Sequence, residues 1–223
     1  MDGGAIAELE SGDEIRSDCV LYAVGRQGAT SDLGLETVGL AADGRGRIRT
    51  DGSFQTEVPY IYAAGDVIGN PALAASGMEQ GRVAARAALG VPTHQSGAGL
   101  LPTGIYTVPE ISMVGETEER LRARGVDYVS GVAPFKETAR GQIVGDEFGR
   151  LKVLADRGSG AILGVHIIGE SATELIHIGQ AVMHFGGTYE YLVNSVFNYP
   201  TFAEAYKTAG LYIANRLWGE TNS

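Results

Sequence analysis

The feature that most constrains this chain is a short, mostly apolar run at residues 60–64 that ends at Gly65 and Asp66. A run of this length and composition is typical of a buried parallel strand. Residues 68–71 then lead through Pro71 into an alanine-rich segment at residues 72–89. Because proline suits the first turn of a helix, this order predicts a strand, a turn and a helix.

A strand and a helix joined in this way offer a place for a ligand. Ligands of open α/β sheets lie beyond the carboxyl ends of strands, and the amides at a helix start favour an anionic or electron-rich group. Gly65 allows a close backbone approach, and Asp66 can accept hydrogen bonds from ligand hydroxyls. Alternatively, Asp66 only caps the turn, and these residues alone favour neither interpretation.

Composition narrows the classes of partner. Of the 223 residues, 44% are hydrophobic and 20% are charged, as is usual for a soluble globular protein. The formal net charge of −10 argues against a nucleic-acid surface and against binding to an anionic membrane. No stretch approaches the roughly 18 apolar residues of a membrane span. We therefore expect a cytoplasmic protein whose partners include neither nucleic acid nor a membrane.

Cysteine and histidine provide no obvious metal or redox centre. The single cysteine, Cys19, lies in an apolar run, so an internal disulfide is excluded and we expect a small buried hydrophobe. The histidines lack the close spacing of a metal site, and we expect no metal. They are His94, His166, His177 and His184.

The start of the chain predicts pieces of a sheet. A turn cluster at residues 10–14 between two extended pieces indicates a hairpin, and the apolar run at residues 19–24 predicts a buried strand that stops at Gly25. One hairpin and one parallel strand cannot make a doubly wound sheet, and no GxGxxG turn is present. We expect the chain to begin inside a domain, as a truncated product or from a misplaced gene start, unless a separate chain supplies the rest.

The remaining pattern predicts two units. The helix at residues 72–89 carries a stripe of small residues that favours tight packing on a sheet, and it ends at Gly90. A linker rich in Gly and Ser at residues 93–101 separates it from a second, α+β unit. There we expect strands at residues 105–108, 127–132, 150–155 and 162–168, a hairpin turn at 156–160, and helices that start at Thr117 and span 172–185 and 201–217. The small stripe comprises Gly77, Gly81, Ala84, Ala85 and Ala88.

Four motifs together resemble one family. Residues 60–67 are similar to the second FAD-contacting segment of the pyridine nucleotide-disulfide oxidoreductases, in which a strand ending in Gly-Asp leads into a helix. Residues 107–118, 164–169 and 199–205 resemble signatures of that family's dimerisation domain. The matches follow the family's order along nearly the whole chain.

The resemblance implies a fold class and a domain plan. The fold would be α/β plus α+β, as in the C-terminal part of a flavoprotein with two dinucleotide-binding domains and an α+β dimerisation domain. Residues 1–92 would hold the end of the NAD(P)-binding domain and the C-terminal segment of the FAD-binding domain. Residues 102–223 would form the dimerisation domain.

The resemblance also implies a set of site residues, with FAD and NAD(P) as cofactors. In this family the acid of the Gly-Asp turn takes a ribityl hydroxyl, and the following helix start lies beside the pyrimidine edge of the flavin. A glycine after the preceding strand touches the nicotinamide nucleotide, and a residue pair from the partner subunit reaches the flavin. The residues so implied are Gly25, Asp66, Ala72, Leu73, Ala74, Ala75, Tyr199 and Pro200.

Tyr199 distinguishes between branches of the family. The disulfide-reducing members carry a histidine at this place, paired with a glutamate that corresponds to Glu204. A phenol with a pKa of about 10 is a poor base at neutral pH, so we expect no catalytic side chain and interpret Tyr199 as an aromatic residue of the subunit interface. The mercuric reductases of the family also depart from this histidine, but they need a pair of C-terminal cysteines, and the tail at residues 217–223 has no thiol. The chain most resembles the branch that passes hydride from NADPH to flavin and on to NAD.

Two alternatives stay open beside this function. The parent protein could be an oxidoreductase similar to dihydrolipoamide dehydrogenase, or the chain could be a non-catalytic module for dimerisation and nucleotide binding. In either case we expect the isolated chain to be inactive and to hold FAD weakly or not at all, because no pyrophosphate-binding turn is present.

A homodimer is expected through the second unit. The helices at residues 172–185 and 201–217 have broad apolar faces and only a modest sheet to cover them, and surplus apolar surface often closes against a second copy. Alternatively, both faces are used up inside the unit. The faces comprise Ala172, Leu175, Ile176, Gly179, Val182 and Met183 in the first helix, and Phe202, Ala205, Tyr206, Ala209, Ile213 and Leu217 in the second.

Overall fold

A computed structural model of the chain describes residues 4–92 and 100–221, with side chains to residue 219. These residues belong to two compact units, Met1–Thr93 and His94–Ser223. Most of the predicted linker, residues 93–99, lies outside the described residues, as does His94.

The first unit begins with the predicted hairpin. Strands β1 (Ala5–Glu8) and β2 (Glu14–Ser17) pair antiparallel, with Ala5 opposite Ser17. The turn between them closes through a bond from the Leu9 amide to the Asp13 carbonyl. The hairpin is therefore confirmed.

The buried strand predicted at residues 19–24 is wrong. No regular structure forms there, and Leu21 and Tyr22 are 88% and 82% exposed. Cys19 is a free, exposed thiol, so the expectation of a buried cysteine is also wrong. A parallel strand is buried only when neighbours flank it, and the described part of this unit contains one two-stranded sheet.

The strand predicted at residues 60–64 is also wrong. This segment makes a single antiparallel bridge, between Tyr62 and Gln55, and Tyr60 is exposed. The same cause applies, because no parallel neighbour is present among the described residues of the unit. The chain then turns through a short 3₁₀ helix, Gly65–Ile68. Another 3₁₀ helix, Leu35–Val38, precedes these elements.

Helix α1 (Ala74–Ala88) starts later than predicted and buries another face. Pro71 lies before the helix, after a cis peptide bond, and not in its first turn. The predicted small-residue stripe is wrong in most positions, because Gly81 faces open space and Ala85 and Ala88 are exposed. Gly90, with φ of 66°, follows the C-cap and confirms the predicted end. The buried residues of α1 are Ser76, Gln80, Val83 and Ala84.

The second unit is built on a five-stranded antiparallel sheet of order β3-β4-β7-β6-β5. One row across its centre places Met113, His166 and Lys152 on neighbouring strands. The strands are β3 (Thr103–Ile105), β4 (Ile111–Gly115), β5 (Tyr128–Pro134), β6 (Arg150–Asp156) and β7 (Ile162–Ile168). The sheet confirms the predicted α+β character, although β3 ends where the predicted strand begins.

In the described part of this unit, five α-helices and a short 3₁₀ helix, Phe135–Glu137, accompany the sheet. Helix α4 packs on β4 and β7, while α6 packs on β5 and β6. Thr117 caps α2 by accepting a bond from the Arg120 amide, as the sequence predicts. The helices are α2 (Glu118–Ala123), α3 (Ala139–Val144), α4 (Ala172–His184), α5 (Tyr189–Asn194) and α6 (Glu204–Thr221), of which α3 and α5 were not predicted. No described helix is long and apolar enough to cross a membrane.

The predicted apolar faces of α4 and α6 lie in the core of this unit. Ile176 on α4 and Ile213 on α6 are buried with the inner faces of β6 and β7. Tyr206 is also buried, and its hydroxyl donates to the Leu175 carbonyl at 2.8 Å and accepts from the Gly179 amide at 3.1 Å. Because both faces are used up inside the unit, they do not support the argument for a dimer from surplus helix surface.

Candidate functional site

The turn that carries Asp66 keeps its side chain open. Gly65 has φ of 82°, a conformation that favours glycine, and starts the 3₁₀ helix in which Asp66 follows. The Asp66 side chain is 41% exposed and lies 4.0 Å from the Arg26 Nε. Within the described residues no backbone amide donates to this carboxylate. The structure therefore does not support the alternative in which Asp66 only caps its turn.

The start of α1 is accessible beside residues with small side chains. Leu73 is the N-cap, with extended backbone angles, and supplies no side-chain cap. The first turn contains no acidic residue, and Ala72, Ala74 and Ala75 are exposed. The amides at such a helix start suit an electron-rich group such as a heterocyclic carbonyl.

The Asp66 turn and helix α1 pack against each other. The Gly65 amide donates to Gln80 Oε1 at 2.7 Å. A Cβ placed on Gly77 would lie 3.3 Å from the Gly65 Cα, so the turn approaches the helix backbone closely. The acceptor oxygens of Asp66 and the donor amides at the start of α1 are therefore held close to each other. This donor and acceptor set fits a group that presents both hydroxyls and carbonyls, as the ribityl chain and pyrimidine edge of a flavin do.

Gly25 lies in the exposed segment that precedes Arg26. Its φ is 135°, and an added Cβ would meet no atom within 4 Å. Arg26, directly after Gly25, lies with its Nε 4.0 Å from the Asp66 carboxylate. A role for Gly25 at a nicotinamide nucleotide stays a prediction.

Tyr199 and Pro200 lie in the second unit, in the loop between α5 and α6. Tyr199 is 77% exposed, and the peptide bond between the two residues is cis. The loop is held by bonds from the Lys207 Nζ to the Ser195 carbonyl, at 3.0 Å, and from the Thr201 Oγ1 to the Asn198 carbonyl, at 2.6 Å. Within a single chain Tyr199 thus stands at the surface, beside a cleft of about 390 Å³.

Two family models match the sequence of this chain. The pyridine nucleotide-disulphide oxidoreductase model matches residues 2–81, and the model of that family's dimerisation domain matches residues 101–210. The chain belongs to the pyridine nucleotide-disulphide oxidoreductase family.

Two sequence relatives of this chain share one name. The chain is 54% identical over 214 residues to the soluble pyridine nucleotide transhydrogenase of Mycobacterium bovis (strain BCG / Pasteur 1173P2), covering 96% of this chain and 46% of the relative. It is 50% identical over 221 residues to the protein of that name in Klebsiella pneumoniae, covering 98% and 47%. The chain therefore spans about half the length of the curated relatives that it matches.

Solved structures confirm the predicted fold class. LpdA from Mycobacterium tuberculosis superimposes with a TM-score of 0.79 at 26% identity, covering 95% of this chain and 46% of that chain. The HOCl-induced flavoprotein disulfide reductase RclA from Escherichia coli gives 0.84 at 27% identity, covering 96% and 49%. Membership of this oxidoreductase family implies the use of FAD and NAD(P), in agreement with the donor and acceptor set described above.

Two glutamates of the family motifs act as caps that sequence reasoning missed. The Glu204 Oε1 accepts the amide of Ala139, at the start of α3, at 2.7 Å. The Glu110 Oε2 accepts the amide and hydroxyl of Thr173, in the first turn of α4, at 3.1 and 2.8 Å. The partners lie 65 and 63 residues apart, so no local pattern could reveal either pair.

A charged cluster on the sheet includes a buried histidine atom. Glu118 accepts bonds from Lys152 and Tyr128, and its pKa is lowered chiefly by the bond from Lys152. Beside Lys152, His166 has its Nδ1 buried without a hydrogen-bond partner. Burial, followed by the charge of Lys152, lowers the pKa of His166. Among the described residues, no group of His, Cys, Asp and Glu has the arrangement of a metal site.

Proposed function

We propose that this chain is the flavin-facing and dimer-forming part of a soluble pyridine nucleotide transhydrogenase, which passes hydride between NADPH and NAD by way of FAD. The observation that carries the proposal is 54% identity to such an enzyme along 96% of the chain. The open Asp66 turn, packed against the start of α1, supports it.

In this proposal the first unit binds the flavin. The Asp66 carboxylate accepts a hydrogen bond from a ribityl hydroxyl, and the amides at the start of α1, around residues 72–75, donate to the pyrimidine edge. Gly25 lies against the nicotinamide nucleotide, where the absence of a side chain permits close approach. FAD supplies the chemistry of accepting and donating hydride. The residues named here therefore serve to bind and orient the flavin and the nicotinamide nucleotide.

The proposal requires neither a thiol nor a protein base. Tyr199 stands where the disulfide-reducing branch has a histidine, and a phenol does not accept a proton readily at neutral pH. Glu204, which would pair with that histidine, instead accepts the Ala139 amide. Si-specificity, which describes the face of the nicotinamide ring that gives or takes the hydride, belongs to the same proposal.

The quaternary proposal is a homodimer through the second unit, whose residues 101–210 match the family's dimerisation domain. Tyr199 and Pro200 of one subunit would reach the flavin site of the other. The exposure of Tyr199 in the single chain supports this arrangement. We further propose nicotinamide nucleotides as the substrates and the cytoplasm as the location.

A single assay separates this function from both alternatives. NADPH, FAD and thio-NAD are supplied to an enzyme of the relatives' length that carries this sequence as its C-terminal half, and reduction of thio-NAD is followed by absorbance. Transhydrogenation without added dithiol supports the proposal. Activity only with lipoamide identifies the disulfide-reducing alternative, and nucleotide binding without any turnover identifies the non-catalytic module.

The isolated 223-residue chain has a separate expected outcome. It should show no transhydrogenation and should lose its flavin during gel filtration, because the half-site at Asp66 offers only a few hydrogen bonds to FAD. A chain that elutes yellow with stoichiometric flavin would contradict this expectation.

A further inference from the structure

Gln80 is a polar side chain on the buried face of α1. It is 7% exposed and lies on the same face as Ser76, Val83 and Ala84. Burying an amide group costs free energy unless the group is hydrogen-bonded. Its Oε1 accepts the Gly65 amide, 15 residues earlier in the chain, at 2.7 Å. A buried polar group is therefore used to hold one backbone amide.

The position of that amide gives the bond its significance. Gly65 is the first residue of the 3₁₀ turn, and Asp66 follows directly. Helix α1, with 15 residues, is the longest described element of the first unit and provides a rigid reference. The bond from Gly65 to Gln80 therefore fixes the base of the Asp66 side chain relative to α1.

Gly77 makes a second contact with the same turn. It lies three residues before Gln80 and so on the same side of the helix. A Cβ at this position would stand 3.3 Å from the Gly65 Cα, closer than most real Cβ contacts. One face of α1 thus holds Gly65 both by a hydrogen bond and by close backbone packing.

We propose that Gln80 is a positioning residue of the flavin site, an inference that rests on the function proposed above. It fixes the position of the Asp66 carboxylate relative to the start of α1. The carboxylate oxygens and the α1 amides can then bind the same ligand. Gln80 itself does not touch the flavin. The Asp66 side chain is exposed, and Arg26 lies 4.0 Å from its carboxylate. The hydrogen bond from the Gly65 amide to Gln80 therefore orders the backbone from which the Asp66 side chain extends. Such preorganisation removes an ordering cost from binding.

The test uses the 223-residue chain and FAD at millimolar concentration. Amide signals of Asp66, Ala74 and Ala75 in two-dimensional NMR report weak binding, and exchange of the Gly65 amide reports its hydrogen bond. Gln80→Met removes the acceptor at similar volume and should weaken FAD binding roughly three- to tenfold, the usual range for one hydrogen bond. Gln80→Glu keeps an acceptor oxygen and should retain both slow exchange and binding.

A double-mutant cycle separates positioning from general stability. If Gln80 acts through Asp66, then Gln80→Met has no further effect on FAD binding in an Asp66→Ala background. Ser76→Ala, on the same buried face, is the matched control and should leave binding unchanged. If Gln80→Met does not fold, Gly77→Ala provides the same test, because its methyl group displaces Gly65 while alanine favours the helix.

The outcomes are distinct. If the parent chain shows no perturbation by FAD at any of these amides, the half-site alone does not hold FAD, and FAD titration of the same variants in an enzyme of the relatives' length decides. If Asp66→Ala there binds FAD as tightly as the parent, the proposed flavin site is wrong, and the role of Gln80 fails with it. If the parent binds FAD but Gln80→Met and Gly77→Ala bind equally well, or weaken binding as much without Asp66 as with it, the positioning role alone is wrong.

Discussion

At the scale of single residues, Glu204 lies at a motif position that the resemblance associates with a histidine partner, but in this chain it caps a helix. Its carboxylate holds the first amide of α3, and no histidine stands at position 199 to share a proton with it. Glu110 holds α4 in the same manner. Both caps tie the start of a helix to a distant segment of the second unit, so stability is the property that these glutamates should control.

Replacement of Glu204 tests that view. Glu204→Ala removes the acceptor for the Ala139 amide and should lower the free energy of unfolding by about 0.5–2 kcal/mol, the usual worth of a cap. Glu204→Gln keeps an acceptor oxygen and should lose much less. Urea unfolding followed by circular dichroism measures both, with Glu147→Ala, at an exposed acid, as control. Equal losses for Gln and Ala would show that the negative charge, and not the cap, is what matters.

Replacement of Asp66 tests the flavin assignment. In an enzyme of the relatives' length that carries this sequence, Asp66→Ala should weaken FAD binding by about 1.5–3 kcal/mol, since a charged acceptor of a hydroxyl is lost. Flavin fluorescence during titration of the apoprotein gives the affinity, and Asp32→Ala, at an exposed position, serves as control. Unchanged affinity would remove Asp66 from the site.

How much of the site the sequence can predict follows from distance along the chain. Gly65, Asp66 and the start of α1 are adjacent in sequence, so a local pattern finds them. Gln80 and the partners of Glu110 and Glu204 meet only after folding, across 15 to 65 residues. A glutamine inside a helix carries no mark of the amide that it will bind.

At the scale of elements, a strand predicted from the sequence formed where the described residues include a strand to pair with it. Strands β5, β6 and β7 pair with one another, and the sequence located them closely. Residues 19–24 and 60–64 have equally apolar sequences but no flanking parallel strand among the described residues, and they form no strand. An apolar run alone does not make a strand, because a sheet also requires partners.

Strand β7 contains a group whose titration should affect stability. His166 has its pKa lowered by burial and by Lys152, while the nearby Glu118 and Glu119 oppose this shift. The folded state thus favours the neutral ring, so its contribution is complete above the unfolded pKa of about 6.5. It is lost as the pH falls from there towards the lower folded pKa, because the unfolded state then binds the proton more readily.

Unfolding free energies between pH 8 and pH 5 check this behaviour. The parent should lose stability below about pH 6.5, and His166→Leu should remove part of that loss and also relieve the unpaired Nδ1. His177→Gln, at an exposed position on α4, is the control. A His166→Leu profile parallel to that of the parent would show that other groups cause the pH dependence.

At the scale of the whole molecule, the apolar surface available for a partner lies away from the cores of α4 and α6. In the second unit it consists of side chains that the single chain leaves open, among them Val196, at 94% exposed, and Tyr199. Further exposed apolar side chains of this unit are Tyr106, Val108, Phe148, Phe185 and Trp218. A homodimer through this unit should therefore bury loops and helix ends.

Light scattering at micromolar concentration tests the dimer. The expected mass is about twice the chain mass of 23.4 kDa. Val196→Asp places a charge beside Tyr199 and should give the monomer with an unchanged melting temperature, whereas Leu33→Asp, at an exposed residue of the first unit, should not. A monomeric mass for the well-folded parent would remove the dimer and the proposed reach of Tyr199 into a neighbour's flavin site.

The exposed apolar segment at residues 19–24 predicts a different kind of self-association. A two-fold contact satisfies itself and stops at two copies, whereas an unpaired extended segment can accept another strand without closing and so has no natural end. The two processes differ in how the average molecular mass depends on protein concentration. For a closed dimer the mass reaches a plateau, whereas for open-ended strand addition it keeps rising. At high protein concentration we therefore expect fibrous or amorphous aggregates. Replacement of Leu21 by a charged residue should suppress this aggregation and leave the dimer plateau unchanged.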